Sequence, residues 1–139
     1  MKVIHRLPEI EILKHTDGIY GILSRNTNDN LVGLLELLDV NTDIISSKDL
    51  KIKVKKVRTL EQFLSNSHHV LHYNIATKLT LDLVRQILYL EENKIAFSYL
   101  DPQDIIVLNN DIFLILNQSN MYSIEDNKIV INKPYDISA

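Results

Sequence analysis

Asp101 and Asp104 stand three residues apart in "YLDPQDIIV" (99–107). That spacing could hold a paired acid site, with one carboxylate giving a proton and the other taking one. Aspartates beside a proline also serve turns, where they accept hydrogen bonds from nearby backbone amides, and this is the simpler reading. In "SNSHHVLHYN", His68 and His72 are four apart. On a helix they would share one face, as a zinc site requires. No cysteine or carboxylate lies nearby at ligand spacing, so surface histidines around a helix-to-helix connection are the simpler reading. "LKIKVKKVR" carries Lys51, Lys53, Lys55, Lys56 and Arg58. These could meet phosphates, or they form the solvated face of a strand whose lysines discourage edge pairing. "TDGIYG" places Gly18 and Gly21 behind Thr16. Such glycines could cradle a phosphate on backbone N–H groups, or make a tight hairpin.

The bulk properties narrow the classes of function. With 139 residues, 45% hydrophobic content and a formal charge of -3, the chain is about one domain's worth of ordinary globular protein. It has no net bias toward polyanions, so nucleic acid is not an expected partner. The absence of cysteine removes disulfides, cysteine-based metal sites and thiol redox chemistry. No apolar run approaches the ~20 residues needed to span a bilayer, and "MKVIHRLPEIE" lacks the apolar core of a signal peptide. The expectation is a single unit over 1–139, soluble and cytoplasmic, with no membrane partner, no cofactor and no metal. The abundance of Asn and scarcity of Ala hint at source, not function.

Positioning these groups falls to an α+β arrangement. "EIEILKH", "GIYGILSR" and "LVGLLELLDV", broken by "TDG" and "NTNDN", predict a three-stranded meander. The third could instead be a helix, because periodicity does not separate a short apolar strand from a buried helical turn. "NTDIISSKD" reads as a polar loop. Leu50, Ile52 and Val54 alternate with Lys51, Lys53 and Lys55, predicting a strand over 50–58. "TLEQFLSN" predicts a short helix starting at Thr59, and "ATKLTLDLVRQILYLEEN" a long one ended by Asn93. On that helix Leu79, Leu81, Leu83, Val84, Ile87, Leu88 and Leu90 fill an arc of about 200°, leaving Lys78, Asp82, Arg85, Gln86 and Tyr89 on the rest. "DIIVL" and "IFLIL", joined by "NND", predict a hairpin, and "KIVIN" follows the turn "EDN".

In this order the chain resembles a truncated, degenerate protein kinase over residues 9 to 135. "DGIYGIL" resembles the glycine-rich loop, "LVGLL" the third strand, "KIKVKKVRTLEQFL" the strand, hinge and short helix, and "AFSYLDPQDIIVL" the catalytic loop. The chain is similar to the short kinase-like proteins encoded by large DNA viruses, in which a tail like "NKIVINKPY" follows the same hairpin. The resemblance implies small-lobe-like strands over 1–58, then a hinge, helices and a catalytic-loop-like hairpin over 59–139.

The resemblance also implies that the machinery is missing. Phosphoryl transfer needs a third-strand lysine on the phosphates, a catalytic-loop Asp to accept a proton, an Asn for one metal and the D-F-G Asp for another. The lysine position falls on Leu35, the proton-accepting Asp on Tyr99 in the triplet Phe97, Ser98, Tyr99, and the Asn on Asp104. The D-F-G region falls in "ILNQSN" (115–120), without a carboxylate. "NTDIISSKD" is too short and polar for the family's regulatory helix. The implied protein is a pseudokinase with Leu35, Tyr99 and Asp104 around one cleft. The alternative is an enzyme, or a nucleotide- or metal-binding protein, of atypical chemistry using Asp101 and Asp104.

The family's long helix is wrapped by later helices for which this sequence has no residues. The wide apolar arc therefore predicts cover by another protein chain, either a second copy or a virion or host component, centred on Leu81, Val84 and Leu88. The competing expectation is that the terminal hairpin folds back over both flanks.

Overall fold

The computed structural model describes residues 1–25, 29–68, 70–97, 99–116 and 121–134. Its architecture is α+β, with small antiparallel sheets, short helices and one long helix. The first sheet has the order β1 (Lys2–Arg6), β2 (Ile10–Thr16), β3 (Ile19–Ser24), β5 (Asp49–Lys53), β4 (Thr42–Ser46), each neighbour antiparallel. β1 precedes the strands expected from the pattern, and β4 forms within "NTDIISSKD", which reads as a loop. Asp17 and Gly18 turn β2 into β3, with Gly18 at φ 82°, a conformation glycine adopts without steric penalty.

"LVGLLELLDV" is not the third strand. It forms α1 (Asp29–Leu37), so Leu35 lies on a helix. Leu31, Leu34, Leu35 and Leu38 are all buried, and their i, i+3, i+4, i+7 spacing makes one face only on a helix. The end is a Schellman motif, in which Asp39 takes φ 57° and Val40 N–H donates to the Leu35 carbonyl at 3.0 Å. Aspartate fills the position glycine usually marks, so the stop is hard to see in the sequence.

The strand expected over 50–58 is in fact two. β5 ends at Lys53, and β6 (Val57–Thr59) belongs to a second sheet of order β6, β8 (Ile105–Leu108), β9 (Ile112–Ile115). The Asn109 carboxamide holds the intervening bend by accepting from Lys55 N–H at 2.7 Å, while Asn109 N–H donates to the Lys56 carbonyl at 2.9 Å. β5 lies inside its sheet, so its lysines do not blunt an edge. Leu50 and Ile52 are buried while Lys53 is exposed.

The second sheet separates two cores. Ile106, Leu108, Leu114 and Leu116 join the main core with α1 and the first sheet. Ile105, Val107 and Phe113 join Leu60 and Phe63 beneath α2 (Leu60–Asn66) and α3 (Tyr73–Glu92). The Phe63 and Phe113 rings meet edge to face, with centroids 5.8 Å apart. With both faces covered, "DIIVL" reads as a continuous apolar run rather than an alternation. α2 begins where expected, in a capping box of Thr59 and Gln62 with both bonds at 3.1 Å. The third sheet has the order β11 (Lys128–Pro134), β10 (Met121–Glu125), β7 (Ile95–Phe97). Among the described residues no helix is long and apolar enough to cross a membrane.

Candidate interaction surface on the long helix

α3 packs against β9 and β7, and it does so with a face that joins Asp82 and Gln86 of its expected wet side to Leu79, Leu83 and Leu90 of the apolar arc. Asp82, Gln86 and Leu90 are fully buried. The cause lies in β9, the last strand of its sheet, whose outer backbone groups have no neighbouring strand among the described residues. Phe113 N–H donates to Asp82 Oδ2 at 3.1 Å, Gln86 Nε2 donates to the Phe113 carbonyl at 2.6 Å, and Ile115 N–H donates to Gln86 Oε1 at 2.9 Å. Two side chains of a helix thus stand in for the missing strand. A buried backbone group left unpaired costs about 1–3 kcal/mol, so three such bonds outweigh the preference for an apolar contact here. Lys78 Nζ also donates to Asp82 Oδ2 at 2.6 Å, which offsets the cost of burying the carboxylate. Among the described residues Asp82 Oδ1 has no hydrogen-bond partner.

Seating α3 on Asp82 and Gln86 turns the opposite face outward, and that face is apolar. Leu81 is 50% exposed, Val84 46% and Leu88 54%, while Ile75, Leu79 and Leu83 pack partly against the second core. At 100° per residue Val84 lies on the outward crest about 160° from Asp82, with Tyr73, Thr77, Thr80, Leu81 and Leu88 within about 60° of it. No charged side chain interrupts that stripe from Tyr73 to Leu88, and Tyr73 is 84% exposed at its start. A depression of about 450 Å³ runs along the stripe, between Tyr73, Ala76, Thr80, Leu81 and Val84. Beyond its far end a cavity of about 530 Å³ opens between Ile87, Glu91, Lys94, Phe97 and Ile124. Leu81, Val84, Ile87 and Leu88 stay exposed beside the described terminal strands.

The other candidate residues are dispersed. Leu35 is fully buried in the main core, where it cannot line a cleft. Tyr99 is exposed. Asp104 is buried in a 3-10 turn (Pro102–Asp104) packed on α2 and β6. Asp101 Oδ1 accepts from Gln103 N–H at 2.9 Å and Asp104 Oδ2 accepts from Asp101 N–H at 3.1 Å. The two aspartates shape their loop, as the turn reading expects. His68 sits in a turn at φ 54° and His72 caps the start of α3, so they do not share a helical face. Among the described residues no group of three or more His, Cys, Asp or Glu could hold a metal ion. Gly18 serves a hairpin turn, and Gly21 on β3 lies under the His15 ring. A polar groove of about 730 Å³ lies between His5, Arg58, Glu61, Gln62, Asn66 and Gln103. Ser98 and 117–120, which hold one position of the catalytic-loop triplet and most of the D-F-G region, lie outside the described residues.

No protein-family model matches this sequence, and no curated protein matches it either.

Proposed function

We propose that this chain is a catalytically inactive, kinase-like module that works by protein association. The observation that carries the reading is the outward crest of α3, an uncharged stripe in the one long helix among the described residues, left bare by the rest of the fold. An exposed apolar patch of this kind marks an association surface in a globular protein.

The element order supports the kinase-like part. Three strands, a helix, three strands, a short helix, a long helix, a short strand, then a loop with a proline and a hairpin follow one another, an order similar to that of a kinase small lobe and the start of its large lobe. α1 lies between the third and fourth strands, where a kinase has its regulatory helix, which supports this reading. It also moves the expected machinery. The third strand is β3, "IYGILS", with no lysine, and the only glutamate of α1, Glu36, is exposed. The lysine–glutamate ion pair on which kinases depend has neither its lysine nor a buried glutamate. The first hairpin turns through Leu7, Pro8 and Glu9, without a glycine to bring backbone N–H groups to a phosphate.

The experiment is a thermal shift with ATP and Mg²⁺ together with a labelled-phosphate transfer assay. A ligand at 100 times its dissociation constant stabilises by about 2.7 kcal/mol. The expected outcome is no such shift and no transfer. A robust shift or any transferred label sinks the inactive part of the reading.

A further inference from the structure

We infer that the α3 crest is covered by α3 of a second copy of this chain, running antiparallel across a twofold axis. This rests on the association reading and names the partner. The observation behind it is self-complementarity, because the helix carries a projection at one end and a receptacle at the other. The projection is Tyr73, the most exposed aromatic side chain of α3. The receptacle is the cavity of about 530 Å³ between Ile87, Glu91, Lys94, Phe97 and Ile124. Tyr73 and Ile87 lean to the same side of the crest, about 20° and 60° from Val84.

The register follows from the apolar positions. Thr77, Leu81, Val84 and Leu88 repeat with steps of four, three and four, the spacing that lets two helices interlock along a narrow seam. Setting Leu81 against Val84 of the second copy puts Thr77 against its Leu88 and brings Tyr73 level with its Glu92. At 1.5 Å per residue the stripe from Tyr73 to Leu88 is about 22 Å long. Tyr73 then enters the cavity of the second copy, where its ring meets Ile87 and Phe97 and its hydroxyl can donate to the Glu91 carboxylate. A twofold axis makes this contact twice. Parallel pairing would set Tyr73 on Tyr73, leave both cavities unfilled, and place Glu91 and Glu92 beside their own copies, which is repulsive.

The test uses the absence of cysteine in this chain. Asn74→Cys and Glu92→Cys, both at exposed positions, are made as separate variants and mixed under mild oxidation. In the antiparallel pair Cys at 74 of one copy lies within one residue of the level of Cys at 92 of the other, on the same flank of the seam. The same position on two copies lies about 27 Å apart, far beyond disulfide reach. The expected result is a particle of twice the 16.1 kDa chain mass in solution, a cross-link in the mixture and none in either variant alone. Tyr73→Ala, with its circular dichroism unchanged, weakens association by about tenfold or more. A monomer at all accessible concentrations overturns the inference, as does self-linking of Asn74→Cys or a Tyr73→Ala affinity equal to the wild type. A monomer that also fails to transfer phosphate leaves the inactive reading standing. A dimer that transfers phosphate removes that reading and keeps the pair.

Discussion

Replacing Gln86 by Leu should damage this protein far more than replacing Val84 by Lys. Ordinary reasoning about an amphipathic helix expects the reverse. Gln86 is fully buried and makes two bonds to the outer edge of β9, to the Phe113 carbonyl at 2.6 Å and from Ile115 N–H at 2.9 Å. Leucine fits the volume but leaves both backbone groups buried without partners, at about 1–3 kcal/mol each, a total of about 2–6 kcal/mol. That is a large share of the ~5–15 kcal/mol that holds a domain folded. Val84 is 46% exposed on the opposite face, and a surface substitution of this kind changes monomer stability by about 0.5 kcal/mol or less. Urea titration followed by circular dichroism reads the difference. With a slope of about 2 kcal/mol/M, Gln86→Leu lowers the midpoint by about 1–3 M. Val84→Lys leaves the midpoint within about 0.3 M at a protein concentration low enough to remove any contribution from association. Near-wild-type stability of Gln86→Leu, together with unfolding of Val84→Lys, would mean that α3 is seated the other way round.

Three further substitutions probe the contacts that set this geometry. A Cβ on Gly33 would fall on the hydroxyl and ring of Tyr89, where α1 meets α3. Gly33→Ala should therefore forfeit the ~1 kcal/mol gain usual for that change in a helix and recover it with Tyr89→Ala, a coupling measurable in a double-mutant cycle. Asn109 combines φ 56° with the carboxamide that holds the bend at Lys55 and Lys56, so Asn109→Ala should cost about 2–3 kcal/mol by thermal melt, and Asn109→Gly about 1 kcal/mol less. Asp104→Ala removes the acceptor for Asp101 N–H and should lower stability by about 1–2 kcal/mol, measured by urea titration, a loss that a purely chemical role for Asp104 would not produce.

Much of the local structure was legible in the residues. The long helix and its end at Asn93, the short helix opened by Thr59, and the hairpin turn at Asn109 and Asn110 were readable because capping boxes, turn residues and periodicity act over a few neighbouring positions. The sequence also held the signal for α1, in the spacing of Leu31, Leu34, Leu35 and Leu38, but the missing glycine at its end hid the boundary and left Leu35 assigned to a strand. What the residues alone could not determine is which face of α3 is the inside. Leu81, Val84 and Leu88 read as one continuous apolar arc with Leu79, Leu83 and Leu90, because hydrophobicity is a property of each side chain by itself. Asp82 and Gln86 read as surface for the same reason. Only the tertiary structure sets β9 at the edge of its sheet beneath the helix, with Phe113 and Ile115 in need of hydrogen-bond partners. An unpaired backbone group in a dry interior costs more than an exposed leucine does, so Asp82 and Gln86 went in beside Ile75, Leu79, Leu83 and Leu90, and Leu81, Val84 and Leu88 went out.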